Sequence, residues 1–203
     1  MKPIGLYIHF PWCIKKCPYC DFNSHVIDGQ IPEEKYISSL INDLYNDVAD
    51  FQGPINSVFL GGGTPSLFSP RSISEILSTT KNMLKVSDDA EITLEANPGA
   101  LDAANIEGFR QIGINRLSLG VQSFQDQHLS SLGRVHNNDD INYAIKAIKS
   151  AGFNNINFDL MHGLPEQDWK SAKRDLLQAI SHEPTHISWY QLTIEPNTLF
   201  SHK

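Results

Sequence analysis

Basic residues, long apolar runs and cysteines are all in short supply in this sequence. Its 203 residues hold 16 Lys plus Arg against 23 Asp plus Glu, a net charge of -7, so it offers no basic field to hold a nucleic-acid backbone. Nucleic acid is not an expected partner. No stretch approaches the roughly 20 consecutive apolar residues of a membrane-spanning helix. The opening Met1-Lys2-Pro3-Ile4-Gly5 runs into a strand-like segment rather than a signal-peptide core, and a cytoplasmic protein is expected. Only three cysteines occur, Cys13, Cys17 and Cys20, all in one eight-residue window. An odd number packed this closely excludes a disulfide framework and points to a reducing compartment and a metal. Linkers and low-complexity segments are also missing. With 40% hydrophobic residues, 13 Gly and 11 Pro, disorder, collagen and coiled coil are excluded, and a single domain over residues 1–203 is expected.

What is present alternates between two periodicities. Ile4 to Phe10 is a short apolar run, after which Pro32 to Phe51 places Tyr36, Ile37, Leu40, Ile41, Leu44, Tyr45 and Val48 at helical spacing. Ser57 to Leu60 reads as a second strand stopped by Gly61-Gly62-Gly63, and Ser69-Pro70 opens a helix carrying Ile73, Ile76, Leu77, Met83 and Leu84. The unit recurs as Glu91–Glu95 then Asp102–Ile112, as Arg116–Leu119 then Asp139–Ala151 closed by Gly152, and as Asn155–Leu160 then Asp168–Ser181. A sixth strand spans His186 to Leu192. Single helices between strands imply right-handed crossovers and an α/β fold with an all-parallel sheet, either curled into a partial barrel or lying open and doubly wound.

In such folds the ligand site sits at the carboxyl ends of the strands, and the unusual residues gather there. The cysteine window follows the first strand, Gly61-Gly62-Gly63-Thr64-Pro65 the second, Glu95-Ala96-Asn97-Pro98 the third and Gly120-Val121-Gln122-Ser123 the fourth. Asp159 and His162-Gly163-Leu164-Pro165 follow the fifth, Thr193 to Pro196 the sixth. Six strand ends are expected to share one mouth. Because a parallel sheet wants both faces covered and no sixth helix follows the last strand, a C-terminal continuation is expected beyond Lys203.

Three thiolates at this spacing suit an iron-sulfur cluster or zinc, and three is one short of closure for either. A 4Fe-4S cubane would keep one iron open to a small molecule. A structural Cys3His zinc site closed by His25 is the alternative, although zinc of that kind staples small, core-poor modules.

Cys13-x3-Cys17-x2-Cys20, with Tyr19 before the last cysteine, resembles the cluster signature of the radical S-adenosylmethionine (SAM) superfamily. Tyr7-Ile8-His9-Phe10-Pro11-Trp12-Cys13, Gly61-Gly62-Gly63-Thr64-Pro65-Ser66, Glu95-Ala96-Asn97-Pro98, Gly120-Val121-Gln122-Ser123-Phe124 and Asp159-Leu160-Met161-His162-Gly163-Leu164-Pro165 are similar to the branch that holds oxygen-independent coproporphyrinogen III oxidases and their haem-chaperone relatives. The resemblance runs from Tyr7 to Phe200 and implies a parallel (β/α)6 partial TIM-type barrel. It implies that Cys13, Cys17 and Cys20 hold a 4Fe-4S cluster whose open iron takes the amino and carboxylate groups of SAM, so that reduction can cleave a carbon-sulfur bond and release a 5'-deoxyadenosyl radical.

It further implies that Gly62, Gly63 and Thr64 face the amino-acid end of SAM, where glycine lets backbone approach a ligand closely. Glu95 ends an apolar strand, where a carboxylate is costly unless hydrogen-bonded; it is expected either to accept from a ribose or ammonium or to be a solvated strand-end acid. Gln122, Arg134 and Asp159 match positions where the family contacts SAM or the adjacent ligand. Tyr7 reads as core by spacing, but its family counterpart lies near SAM, and Thr193 likewise matches a contact position. His9, alternating with apolar neighbours, reads as a satisfied interior histidine. His25 and His162 are expected near the mouth.

The decarboxylating oxidases characteristically carry a further cysteine two residues after the cluster motif, where this chain has Phe22. That departure, with Cys17 to His25 and Gln191 to Phe200, resembles the haem-chaperone branch. The implied function is haem binding and delivery to acceptor proteins of the respiratory chain, with cluster and SAM present, an electron donor for the cluster, and scope for peripheral membrane association. The alternative is oxidative decarboxylation of coproporphyrinogen III. The haem-associated C-terminal region of the family has no counterpart in these residues.

Overall fold

The computed structural model describes residues 4–48, 51 and 53–202. Strand β1 (Ile4–Phe10) leads into a small ladder of β2 (Trp12–Cys13) and β3 (His25–Val26) that frames the cysteine loop. Then come α1 (Glu33–Asp47), β4 (Ile55–Gly62), α2 (Pro70–Met83), β5 (Val86–Ala96), α3 (Ala103–Gln111), β6 (Arg116–Gln122), α4 (Asp126–Ser131), α5 (Asn138–Ser150), β7 (Ile156–His162), α6 (Trp169–Ser181) and β8 (His186–Gln191). The expected continuation of the first helix through 49–50 lies outside the described residues, as do Met1, Lys2, Pro3 and Lys203.

Local chemistry explains where the helices start and stop. Ser69, Asp102 and Asp168 each accept the backbone N–H three residues on, from Ser72, Asn105 and Ser171, and Asn137 forms a reciprocal capping box with Asp140. Gly152, at φ +81°, turns the chain out of α5.

Six strands pair in parallel in the order β1-β4-β5-β6-β7-β8. The order follows the chain without reversal. A doubly wound sheet reverses at a switch point; a sequential one with crossovers of a single hand puts every helix on the same side and curls into a partial barrel. The strands alternate accordingly. Ile8 and Phe10, Val58 and Leu60, Ile92 and Leu94, Leu117 and Leu119, and Phe158 and Leu160 are buried on the helix-covered face. They pack against Ile37 of α1, Ile73, Ile76 and Leu77 of α2, Ile106 and Phe109 of α3 and Ile141, Ile145 and Ile148 of α5. The opposite, concave face carries Tyr7, His9, Thr93, Glu95, Arg116, Ser118, Asn157, Asp159, Ser188 and Tyr190. A closed TIM barrel fills its interior with branched apolar layers; this lumen is polar and suited to a ligand.

Tyr7 therefore departs from its spacing-based assignment to the core. It sits on the concave face, 54% exposed, because the odd positions of β1 face the lumen rather than the helices.

Candidate functional site

A cavity of about 400 Å³ opens at the carboxyl ends of the strands. Its lining includes Cys13, Cys17, Cys20, Gly62, Gly63, Thr64, Glu95, Gln122, Arg134, Asp159 and Thr193. Of the residues expected to hold cluster or SAM, Tyr7 alone is not part of that lining. His25 is exposed on β3, and His162 packs edge-on against Trp189 at 5.0 Å between ring centroids; neither lines the cavity.

The cysteine loop is tied down by backbone groups. The Cys20 N–H donates to the Cys17 carbonyl at 3.1 Å, and the Ile27 N–H to that of Cys13 at 3.0 Å. Lys16 Nζ donates to the carbonyls of Phe22 and Ser24 at 3.0 and 3.2 Å. His9 Nε2 lies 2.8 Å from the Asn23 carbonyl. A carbonyl only accepts, so that nitrogen carries the proton, and in the neutral ring Nδ1 accepts from Tyr7 OH at 3.1 Å. His9 is thus satisfied at both nitrogens, and it pins the loop to the barrel.

No three His, Cys, Asp or Glu side chains among the described residues stand close enough to hold a single metal ion. A tetrahedral zinc would need sulfurs about 3.8 Å apart, given Zn–S bonds of about 2.3 Å, and the Cys3His arrangement with His25 is not formed. The surroundings fit cluster and SAM. Three thiols line one cavity, and Gly63 leaves no space for a Cβ, which would come 2.5 Å from the Trp12 carbonyl oxygen. Arg134 reaches in from the turn after α4, its Nη1 donating to Cys17 Sγ at 3.4 Å while its buried Nε has no protein partner. Burial pushes the Cys20 thiol up from its ordinary range.

Deeper in the lumen, Glu95 and Asp159 face each other's field. Burial, assisted by the Asp159 charge, raises the Glu95 carboxyl to about 7, against a lowering hydrogen bond from the Gly62 N–H. Burial also raises Asp159, opposed by hydrogen bonds from Ser118 at 2.9 Å and Asn157 at 2.8 Å. Gln122, in the left-handed region at φ +66°, accepts the Tyr190 hydroxyl at 2.8 Å. Those two side chains meet across the intervening strand, which a strongly curved sheet allows. Burial, with the Asp159 charge adding to it, raises the Tyr190 phenol to about 12.

Sequence reasoning did not single out Asn97, Ser118, Asn157 or Tyr190. Their signal was weak. Each is a small or amphipathic polar residue at a lumen-facing strand position or a strand end, and only the barrel's concave face unites them.

The radical SAM superfamily model matches residues 7–178. The protein named heme chaperone HemW from Escherichia coli (strain K12) is 50% identical over 201 residues, covering 98% of this chain and 53% of that protein. That from Haemophilus influenzae is 50% identical over 208 residues, with 100% and 54% covered, and that from Bacillus subtilis 38% identical over 196, with 96% and 52% covered. This chain spans about half the length of the curated relatives it matches. Among solved structures, the E. coli coproporphyrinogen III oxidase HemN, a radical SAM enzyme, superposes with a TM-score of 0.87 at 28% identity, covering 98% of this chain and 46% of that one. Methylornithine synthase shares the fold, with a TM-score of 0.69 at 17% identity and coverages of 98% and 56%. The sulfur-lined mouth, the polar lumen and these matches lead to one assignment: the chain belongs to the radical SAM superfamily.

Proposed function

We propose that this chain is the cluster- and SAM-binding core of a haem chaperone, which takes up haem and delivers it to acceptor proteins of the respiratory chain. The observation that carries the reading is the 50% identity to HemW chaperones over 98% of the chain, and hence over every strand end that lines the cavity. Cys13, Cys17 and Cys20 would hold three irons of a 4Fe-4S cluster. When bound, that cluster supplies an electron to the sulfonium of SAM, itself fed by an external donor. Gly62, Gly63 and Thr64 border the amino-acid end of SAM, Arg134 offers its positive charge and its unpartnered Nε–H to a carboxylate, and Glu95, Gln122 and Asp159 offer hydrogen-bonding groups to the remainder. Tyr7, on the concave face of β1, and Thr193, in the cavity lining, complete the proposed contacts.

The second reading, oxidative decarboxylation of coproporphyrinogen III, is favoured by the superposition on HemN. Against it stands Phe22, which lines the cavity where the oxidase motif has a further cysteine. No described helix is long and apolar enough to cross a membrane; a cytoplasmic site of action with peripheral membrane contact is part of the proposal. The test is anaerobic purification of the full-length protein, measurement of iron, sulfide and haem stoichiometry, and incubation with SAM and coproporphyrinogen III. Stable haem uptake without turnover is expected. Decarboxylated product would overturn the chaperone reading, and zinc without iron or sulfide would overturn the cluster.

A further inference from the structure

Two of the three cysteine sulfurs are joined by an unbroken run of hydrogen bonds through side chains from two strand ends and from the turn after α4. Arg134 Nη1 donates to Cys17 Sγ at 3.4 Å, and its Nη2 donates to Asn97 Oδ1 and, at 3.2 Å, to the Gly120 carbonyl. Asn97 Nδ2 donates to Thr64 Oγ1 at 2.9 Å, and Thr64 Oγ1 donates to Cys13 Sγ at 3.7 Å. The directions are not free. A guanidinium only donates, so the Asn97 oxygen must face Arg134 and its NH2 must face Thr64. Thr64 then accepts from Asn97, leaving its single hydrogen for the sulfur. The space is kept open by Gly120, where a Cβ would come 2.8 Å from Asn97 Oδ1.

We infer that Asn97 is a positioning residue that makes both Cys13 and Cys17 sulfurs hydrogen-bond acceptors, and thereby raises the reduction potential of the cluster they hold. The inference rests on the cluster reading of the preceding section. Hydrogen bonds to cysteine sulfur draw electron density from a cluster and favour its reduced state. Arg134 brings a full positive charge to Cys17, and Thr64 brings an O–H dipole to Cys13. Asn97 touches neither sulfur, yet its amide aligns both donors. Asn97→Asp would reverse the relay at one end. A carboxylate accepts from Arg134 and from Thr64 alike, so the hydroxyl hydrogen would leave Cys13.

The test is a spectroelectrochemical titration of the chain reconstituted anaerobically with ferrous iron and sulfide. Wild type would be compared with Asn97→Asp, Thr64→Val, Thr64→Ser and the Asn97→Asp/Thr64→Val double variant, with iron and sulfide counted in each. Asn97→Asp and Thr64→Val are each expected to move the midpoint to more negative potential at full cluster content. The double variant should move it by less than the sum, because both remove the same O–H···S bond, and Thr64→Ser should stay near wild type. A wild-type midpoint in Thr64→Val would overturn the inference. So would fully additive shifts, which would reduce Asn97→Asp to the field of one added charge. If Asn97→Asp fails to assemble a cluster, Thr64→Val and its serine rescue decide the matter alone. A wild-type chain that takes up no 4Fe-4S cluster would overturn the family-based reading, and this inference with it.

Discussion

Glu95 Oε2 accepts the backbone N–H of Gly62 at 3.0 Å, linking the ends of β5 and β4 beneath the cavity. Burial nevertheless lifts this carboxyl from 4.5 to about 7. A carboxyl raised on folding adds stability that is fully present below its unfolded value and is lost as pH climbs through its folded value. The ligand-free chain should thus lose stability between about pH 4.5 and pH 7, by up to roughly 3 kcal/mol at 1.36 kcal/mol per unit. Glu95→Gln keeps an oxygen for Gly62 and has no proton to lose. Thermal denaturation from pH 4.5 to 8 should show the wild-type Tm falling away from that of the variant; parallel curves would refute the buried-acid assignment.

Gly62 sits at φ +113°, and a Cβ there would come 2.5 Å from the His9 ring. Gly62→Ala is expected to cost about 2–4 kcal/mol, combining backbone strain with overpacking. It should also loosen the cysteine loop, since His9 is its clamp. Gly152, at φ +81° with nothing within 4 Å of a Cβ, supplies the control. Gly152→Ala carries only the left-handed penalty, about 1–2 kcal/mol, and should leave cluster retention unchanged. Urea denaturation and iron counts on both variants check the contrast.

Asp175 of α6 is fully buried and accepts from Ser123 Oγ at 2.7 Å, the Phe124 N–H at 2.9 Å and Gln125 Nε2 at 3.1 Å. It anchors the turn that follows Gln122. Asp175→Ala strands two buried donors, the Ser123 hydroxyl and the Phe124 N–H, while Gln125 Nε2 keeps the Ser171 carbonyl at 3.0 Å, and should cost about 3 kcal/mol or more. Asp175→Asn retains one acceptor oxygen, and Ser123 can rotate to accept, so roughly half that loss is expected. Equal losses in denaturant midpoint would mean that the carboxylate's second oxygen matters more than the network implies.

The alternation of strand and helix was legible because both periodicities are strong, and the parallel sheet follows from it. The register of β4 was not. Gly61 and Gly62 read as a stop, yet they continue the strand opposite His9 and Phe10, because backbone pairing needs no side chain and the crowding of Tyr7, Phe59 and His9 leaves room only for glycine. Helix α4 spans six residues, too few to show a period. The choice of barrel over doubly wound sheet depends on which strands are neighbours, and composition carries no trace of that. The cysteine loop could be read directly since its residues are adjacent in sequence. Arg134 came only through resemblance, Asn97 only as a member of the motif after the third strand and Tyr190 with no role, for the roles of Asn97 and Tyr190 lie in partners 37 and 68 residues away.

Each of Cys13→Ala, Cys17→Ala and Cys20→Ala is expected to abolish assembly of the 4Fe-4S cluster, because two thiolates leave two corners unheld. Iron and acid-labile sulfide per chain after anaerobic reconstitution provide the measurement. A full complement in any one variant would remove that cysteine from the ligand set.

Tyr190 donates to Gln122 Oε1, which turns the Gln122 NH2 into the donor available to whatever occupies the lumen. The ligand atom it meets must then be an acceptor. Tyr190→Phe frees the amide to flip and presents donor and acceptor about equally, so SAM should bind roughly 3- to 10-fold more weakly, the worth of one hydrogen bond. Because the phenol is lifted to about 12, this contribution should be constant across pH 6 to 9, unlike that of Glu95, whose charge changes near 7. Calorimetric SAM titrations of both proteins at several pH values separate the two effects. A wild-type affinity in Tyr190→Phe would show that the Gln122 amide is oriented by the ligand itself, leaving the phenol only a structural part.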